Sequence, residues 1–197
     1  MSAPRALPRL LASTSPQRHA ILEQLGIPFD VVAPRYQERD EAGLGPVELV
    51  RAHAEGKARS VAADAGERPV LGVDTAVVLG DSVLGKPDGE SEAVDMLTRL
   101  AGQTHVVVSG LCLLAPGWEV VDHAETRVTF RELTPREIAR YVATEEWRNR
   151  AGAYAIQARG AALVERIEGD YLNVVGLPAA LLIGHLADHF PGAYGVG

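Results

Sequence analysis

Lysine is scarce in this sequence of 197 residues. Of its nineteen basic side chains only two are lysines, Lys57 and Lys86, and the other seventeen are arginines. A lysine kept against such a bias suggests a position that requires a compact ammonium and not a planar guanidinium. Composition alone is equally compatible with two surface lysines that survive by chance, so the neighbours of the two residues must decide.

Cysteine and long apolar runs are also nearly missing. The single cysteine, Cys112, lies in the apolar run 106–114, so no intrachain disulfide can form and a reducing compartment is expected. No apolar run approaches the ~18 residues of a membrane-spanning helix, and no charged segment followed by an apolar one opens the chain. These absences predict a cytoplasmic protein that does not bind membranes.

An excess of positive charge is the third absence. The formal net charge is −7, with 47% hydrophobic and 23% charged residues, which is ordinary for a soluble globular protein. An acidic balance argues against binding to a nucleic-acid polymer. An anionic small molecule remains a possible substrate, provided that a local basic pocket or a metal ion neutralises it.

Apolar periodicity predicts one α/β domain over residues 1–197, with a mixed sheet and a cleft. Helices are predicted over 16–26, 46–66, 91–100 and 178–189, and Thr134–Glu137 is a capping box that opens a further helix. The charged segment Arg35–Gly45 is predicted to be a mobile loop. Strands are predicted at 9–12, 29–32, 70–73, 76–79, 82–84, 105–114, 119–121, 125–130 and 161–167.

Several polar residues lie in unusual surroundings. Asp74 follows a buried apolar run, where a carboxylate needs a partner, a metal or a shifted pKa, although a structural aspartate at a strand end is the alternative. Lys57 lies at the edge of the apolar face of its predicted helix. Arg18 is in the first turn of the first helix, where backbone N–H groups suit an anion. Gln157 ends a segment of small residues that would let a planar ligand approach the backbone. Each signal is weak alone, and together they indicate a site.

Eight segments of the chain have the residue types and the order of a known family. They are Ser13–Arg18, Glu38, Lys57, Asp74-Thr75, Gly85–Pro87, Gly102–His105, Arg150–Gln157 and Gly169–Pro178. From about residue 9 to residue 187, the sequence resembles the Maf family of nucleoside triphosphate pyrophosphatases, once described as septum formation inhibitors. The resemblance implies a Maf/ITPase-like α/β fold, with helices flanking a central mixed sheet and two lobes around an active-site cleft, often as a homodimer.

The resemblance also implies the reaction. A nucleoside triphosphate would be hydrolysed to the monophosphate and pyrophosphate with a divalent cation, Mg²⁺, Mn²⁺ or Co²⁺. Asp74 matches the general base of the family, Glu38, Lys57 and Lys86 match other catalytic positions, and Glu38 and Asp74 are expected at the metal. The residues expected to bind the substrate are Ser13, Ser15, Arg18, Thr75 and Gln157.

Two positions indicate which base is bound. Thr75 after the aspartate and Gln157 match the family branch that prefers dTTP and UTP, whereas the branch acting on 7-methyl-GTP has Glu at the second position. An amide offers one donor and one acceptor, which match N3–H and a carbonyl of uracil or thymine. The chain departs from the family pattern at Gln17, where Arg is usual, and at Ala158, where Gly is usual. The expectation is a house-cleaning enzyme that leans to dTTP, UTP and modified pyrimidine nucleotides.

Two other classes of function fit parts of the sequence. A non-catalytic regulator of cell division would be marked by loss of the carboxylates or lysines, or by a basic face. This chain keeps the carboxylates and the lysines, and its net charge is negative. A metal-dependent phosphomonoesterase would use the same residue types but release orthophosphate instead of pyrophosphate.

Overall fold

The protein is described by a computed structural model that covers residues 9–38 and 43–191. Helices and strands alternate along this part of the chain. The strands are β1 Arg9–Leu11, β2 Phe29–Val31, β3 Val70–Leu79, β4 Ser82–Leu84, β5 Thr104–Ala115, β6 Trp118–Phe130 and β7 Val164–Glu168. The helices are α1 Pro16–Gln24, α2 Pro46–Ala65, α3 Glu90–Leu100, α4 Pro135–Val142, α5 Tyr171–Val175 and α6 Ala179–His189.

The strands form one mixed sheet of seven strands in the order β2-β1-β3-β5-β6-β7, with β4 also paired to β3. β1 runs parallel to both β2 and β3, so that Leu10 lies opposite Asp30 on one side and Val70 on the other. The pairs β3–β4 and β6–β7 are antiparallel. The predicted α/β class with a mixed central sheet is therefore confirmed.

The predicted helix starts agree with the structure. Proline occupies the first turn of α1, α2 and α4, where its missing N–H costs nothing. At α4 the Thr134 hydroxyl accepts from the Glu137 N–H at 3.3 Å, and the Glu137 carboxylate accepts from the Thr134 N–H at 2.8 Å. The Glu137 carboxylate accepts from the Thr134 N–H, from the Thr134 hydroxyl and from Arg131, and these hydrogen bonds lower its pKa to about 2. The capping box is confirmed.

Three elements differ from the expected boundaries. β3 is continuous, so Asp74 lies inside a strand and not at its end, because ladder pairing tolerates polar side chains. β6 is likewise one strand where two were expected. Residues 161–163 belong to a 3₁₀ turn, and β7 begins only at Val164. A Cβ at Gly160 in that turn would lie 2.5 Å from the Ala155 carbonyl oxygen, so the chain is too closely packed there to extend.

The chain divides into two compact units. The first unit comprises the described residues up to Asp74, Ser109–Ala124 and those from Gly176 onward, and the second comprises Thr75–Val108 and Glu125–Val175. The prediction of a single domain over 1–197 stays a prediction. Within the described ranges, no helix is both long enough and apolar enough to cross a membrane.

Each unit has its own apolar core. In the first unit α2 packs on the sheet through small side chains, and Cys112 is buried there as a free thiol. The core of this unit includes Leu10, Ala12, Ala54, Ala58, Val61, Ala65, Val70 and Cys112. The core of the second unit includes Val77, Met96, Leu97, Leu100, Val107, Val128, Phe130, Ile138, Trp147, Tyr154 and Ile156.

Two glycines let α2 approach the strands of the first unit closely. A Cβ on Gly72 of β3 would overlap the Ala54 carbonyl oxygen, and a Cβ on Gly110 of β5 would overlap the Val50 carbonyl. A glycine inside a strand often marks such an approach of another backbone. The contact at Gly72 lies two residues before Asp74 in β3 and beside the α2 turn that carries Lys57.

Candidate active site

The centre of the candidate site is Lys57, whose side chain is 8% exposed on α2. Its ammonium donates to the Asp74 carboxylate on β3 at 2.5 Å and lies 2.6 Å from the Glu38 carboxylate. A buried ammonium requires such compensation, because transfer of a lone charge out of water is costly. One lysine thus joins two carboxylates from separate segments of the first unit.

The backbone explains why Lys57 and Asp74 meet. Lys57 follows Ala54 by three residues on α2, and Asp74 follows Gly72 by two residues on β3, so both lie just beyond the close contact of helix and strand. A larger side chain at residue 72 would separate α2 from β3. The short Lys57–Asp74 distance therefore depends on glycine at that position.

The turn before α1 forms a second part of the site. The Ser13 hydroxyl is buried and accepts from the Ser15 N–H at 3.2 Å and from Arg18 Nη1 at 3.1 Å. Arg18 Nε donates to the Gly176 carbonyl oxygen at 2.9 Å, across 158 residues of sequence. The Ser15 hydroxyl donates to the side chain of Gln17 at 3.1 Å. Two segments predicted from sequence, 13–18 and 169–178, therefore meet at Arg18.

The electrostatics connect Arg18 to the carboxylates. Burial lowers the pKa of the Arg18 guanidinium, while the negative charges of Asp74 and Glu38 oppose that change. Arg18 remains a cation at any physiological pH because its ordinary pKa is far above neutrality. The first unit thus brings together two cations, Arg18 and Lys57, and two anions, Asp74 and Glu38. Ser13 is hydrogen-bonded to Arg18.

The segment that carries Glu38 was expected to be a mobile loop. Its described part, 35–38, forms neither helix nor strand and makes specific contacts with α2, including a hydrogen bond of 3.1 Å from the Arg35 N–H to the Ser60 hydroxyl. For these four residues the predicted loop is confirmed, and its mobility stays a prediction. Residues 39–42 of the predicted loop lie outside the described residues.

The other predicted site residues belong to the second unit. Thr75 follows Asp74 in β3 and is partly buried, and Lys86 is exposed in the segment after β4. Gln157 is also exposed, at the end of the segment 151–157. The Gly85 carbonyl accepts from the Gly152 N–H at 3.1 Å, so the Lys86 segment and the start of 151–157 are in contact.

Aromatic residues hold the segment 151–157 in place. The Tyr154 hydroxyl is bonded to His105 Nε2 at 2.9 Å, and the Tyr141 hydroxyl accepts from the Ala155 N–H at 3.0 Å. Burial raises the pKa of Tyr141 to about 12 and raises that of Tyr154 as well, so both hydroxyls stay protonated. Gly152 and Ala153 have positive φ, which gives the segment its sharp bend. Gln157 therefore lies at the end of a rigid, uncharged turn.

Two carboxylates that lie close together, as those of Glu38 and Asp74 do around the Lys57 ammonium, are suitable ligands for a hard divalent metal ion. Mg²⁺ is commonly held by one or two carboxylates, with phosphate oxygens and waters completing its coordination. Among residues 9–38 and 43–191, no group of three or more His, Cys, Asp or Glu side chains could hold a metal ion. Glu38 and Asp74 are a pair of carboxylates of the kind with which Mg²⁺ is commonly held.

The positions that sequence analysis missed are those that support the site residues. Gly72, Tyr36, His53 and Gly56 surround the charged cluster in the first unit. A glycine inside the apolar run 70–73 was a usable signal of close backbone approach. A glycine in the middle of a predicted helix, at residue 56, was a second one. Tyr36 and His53 gave no local signal.

Comparisons with known proteins show which family the chain is similar to. The family profile described as "Maf-like protein" matches residues 8–189. A protein of Nitratidesulfovibrio vulgaris named "dTTP/UTP pyrophosphatase" is 50% identical, over 90% of this chain and 85% of the relative. Proteins of the same name from Moorella thermoacetica and Gloeobacter violaceus are 52% and 46% identical, over 86% and 91% of this chain and 88% and 94% of the relatives.

Proposed function

The chain belongs to the Maf family, and on that premise we propose that it hydrolyses a nucleoside triphosphate to the monophosphate and pyrophosphate. The observation that carries the proposal is the Lys57 ammonium held between the Glu38 and Asp74 carboxylates. Several relatives that share about half of its residues are named for this activity. A non-catalytic regulator would have no use for such a costly arrangement of buried charge.

Water attacks the α-phosphorus in this reaction, the bond from that phosphorus to the bridging oxygen breaks, and pyrophosphate leaves. Asp74 is the group proposed to orient the water and accept its proton, because it is the less exposed of the two carboxylates at 15% against 52% for Glu38. The ammonium of Lys57 fixes the Asp74 carboxylate and adds positive charge where negative charge develops. Arg18 and Lys86 are proposed to bind phosphate oxygens, Arg18 as a fork and Lys86 as a point charge.

Glu38 and Asp74 are the residues proposed to hold a divalent cation, Mg²⁺, Mn²⁺ or Co²⁺. When bound, such a cation neutralises the triphosphate charge and polarises its oxygens. The two carboxylates already share the Lys57 ammonium, so their mutual repulsion is compensated in the protein itself. The homodimer and the cytoplasmic location are further proposals, which light scattering and cell fractionation would test.

The base is proposed to be uracil or thymine, as in the names of the relatives. Gln157 is the proposed reader, with its amide N–H donating to a carbonyl of the base and its amide oxygen accepting from N3–H. Ser13, Ser15 and Thr75 are proposed to bind the rest of the substrate. Modified pyrimidine nucleotides, which present the same edge, are proposed as additional substrates in a house-cleaning role.

Hydrolysis in ¹⁸O-labelled water with UTP and Mn²⁺ tests the proposal. Attack at the α-phosphorus places the label in UMP and leaves pyrophosphate unlabelled, which ³¹P NMR and mass spectrometry distinguish. Label in pyrophosphate would contradict the proposed site of attack, and orthophosphate as first product would indicate a phosphomonoesterase. Lys57→Met should lose activity by about 10²–10³-fold. Arg59→Met removes an exposed cation from the same helix and should not lose activity.

A further inference from the structure

The segment that carries Glu38 lies along one face of α2. The Arg35 N–H donates to the Ser60 hydroxyl at 3.1 Å, and the Tyr36 hydroxyl is bonded to His53 Nδ1 at 3.0 Å. Glu38 then lies 2.6 Å from Lys57, so Arg35, Tyr36 and Glu38 each have a partner on α2. The segment therefore takes its position from α2, which also carries the lysine.

Tyr36 makes the closest of these contacts. Its ring lies directly over Gly56, and a Cβ at residue 56 would overlap three atoms of that ring. The rings of Tyr36 and His53 meet edge to face, with centroids 5.7 Å apart, and His53 is buried at 4% exposure. Glycine inside a helix is destabilising relative to alanine. Glycine at residue 56 is explained by the space that it leaves for the Tyr36 ring.

The position of the Glu38 carboxylate depends on the backbone that carries it. Its side chain is 52% exposed and long, so an ion pair with Lys57 does not by itself define where the carboxylate lies. A carboxylate that takes part in catalysis has to be held within a fraction of an ångström of its working position. The Tyr36 contact, only two residues away in sequence, restrains this backbone against α2.

We propose that Tyr36, His53 and Gly56 are positioning residues that hold the Glu38 carboxylate beside Lys57. They act through Glu38 and do not touch the substrate. The inference rests on the proposed function, because it assumes that Glu38 takes part in phosphoanhydride cleavage. It extends that function to three residues outside the predicted site, two of them on α2, the helix that carries Lys57.

Two variants disturb the contact in different ways. Tyr36→Phe removes only the hydroxyl that is bonded to His53, and we expect kcat/KM for UTP to fall by about fivefold to tenfold. Gly56→Ala adds a methyl group under the ring and displaces it, and we expect a loss of about 10²-fold, as for a misplacement of roughly 1 Å. The melting temperature of Tyr36→Phe should stay close to that of the wild type. Arg35→Gln is the matched control, since it breaks only the exposed ion pair with Asp64 in the same segment.

A double-mutant cycle with Glu38→Gln separates positioning from general support of the fold. If Tyr36 acts through Glu38, Tyr36→Phe costs less than about twofold once the carboxylate is gone. The cycle is measured as kcat/KM at high enzyme concentration and as the affinity for α,β-imido-UTP with Mn²⁺. The same loss in both backgrounds, by either measure, would overturn the inference.

The remaining outcomes are distinct. A wild-type protein that releases no pyrophosphate from any nucleotide refutes the proposed function before a variant is made. An active wild type, an impaired Glu38→Gln and a fully active Tyr36→Phe refute the positioning role alone. Where Gly56→Ala does not fold, His53→Gln replaces it in the series and should match the loss of Tyr36→Phe.

Discussion

The charged cluster of the first unit and the segment 151–157 of the second are held by different forces. Lys57 and Asp74 lie on a regular helix and a regular strand, and their ion pair forms because Gly72 lets the two backbones approach. The segment before Gln157 has no regular structure beyond short 3₁₀ turns. It depends on neutral hydrogen bonds with Tyr141 and His105 and on left-handed backbone at Gly152.

The difference corresponds to what each region is proposed to recognise. A triphosphate presents several negative charges, which any correctly placed cations can bind, so rigid elements with charged side chains suffice. A base presents a fixed pattern of donors and acceptors and no charge, and a neutral turn with a single amide at its end suits that pattern. The first region can thus be altered by charge, and the second by geometry and protonation.

The largest effect is expected from removing charge in the first region. Asp74→Asn keeps the size of the side chain and should lower kcat by about 10²–10⁴-fold, as for loss of a general base. Lys57 keeps Glu38 as its partner, so the melting temperature should stay near that of the wild type. Asp81→Asn, in the exposed turn between β3 and β4, is the control and should be fully active.

Two results would contradict this account of Asp74. An active Asp74→Asn enzyme would remove Asp74 from the role of base. A large fall in melting temperature would instead support a structural aspartate, with the buried Lys57 ammonium as the group left insufficiently compensated.

In the second region the sensitive variable is pH. Burial of His105, which is 1% exposed, lowers its pKa from 6.5 to about 4. Between those values the unfolded chain binds a proton that the folded chain does not, so stability falls as the pH falls. A pKa displaced to about 4 corresponds to about 3 kcal/mol of unfolding free energy, lost in full by pH 4.

His105→Gln isolates this contribution. The variant has no group that titrates at residue 105, and its amide can still donate to the Tyr154 hydroxyl. Urea unfolding at pH 7.5 and pH 4 should show that the wild type loses about 3 kcal/mol more than the variant over this range. An equal loss in both proteins would mean that His105 is accessible to protons in the folded state.

The close contact between α2 and Gly72 of β3 gives the next prediction. In Gly72→Ala the new Cβ meets the backbone carbonyl of Ala54, which cannot rotate away, so we expect a loss of about 2–3 kcal/mol in unfolding free energy. Activity should fall with it, because α2 moves away from β3 and separates Lys57 from Asp74. Gly184→Ala in α6 has open space around its Cβ and should be neutral or slightly stabilising. A stable and active Gly72→Ala would show that the approach is not needed.

The two regions also differ in how far sequence could predict them. The apolar face of α2 and the apolar run before Asp74 follow from periodicity, which is why Lys57 was expected at the edge of that face and Asp74 in buried surroundings, although their ion pair was not predicted. The bond from Arg18 to Gly176 and that from His105 to Tyr154 join residues far apart in sequence. No local pattern encodes such contacts, because they depend on how strands pair and helices pack. The sequence therefore predicted which positions lie near the base, but not which residues hold those positions in place.

The smallest effect, and the most specific, is expected at Gln157. Gln157→Glu replaces the amide donor by a second acceptor and puts a charge opposite a carbonyl lone pair of uracil or thymine. A mismatched polar pair in a desolvated site costs about 1–3 kcal/mol, or roughly tenfold to a hundredfold in kcat/KM. The loss should fall on UTP and dTTP and not on GTP, whose N1–H and amino group can donate to the new carboxylate.

Steady-state kinetics with UTP, dTTP and GTP measure this change as a ratio, which cancels any general loss of active enzyme. Gln103→Glu adds the same charge at an exposed position of the second unit and should leave the ratio unaltered. An equal loss for all three nucleotides would indicate damage to the bend at Gly152, since that turn sets the position of residue 157. An unchanged ratio in an active Gln157→Glu enzyme would refute base reading by Gln157. The discrimination would then have to come from Thr75 or from the turn that contains Gln17 and Arg18, and the rigid neutral segment would serve the shape of the site and not its choice of base.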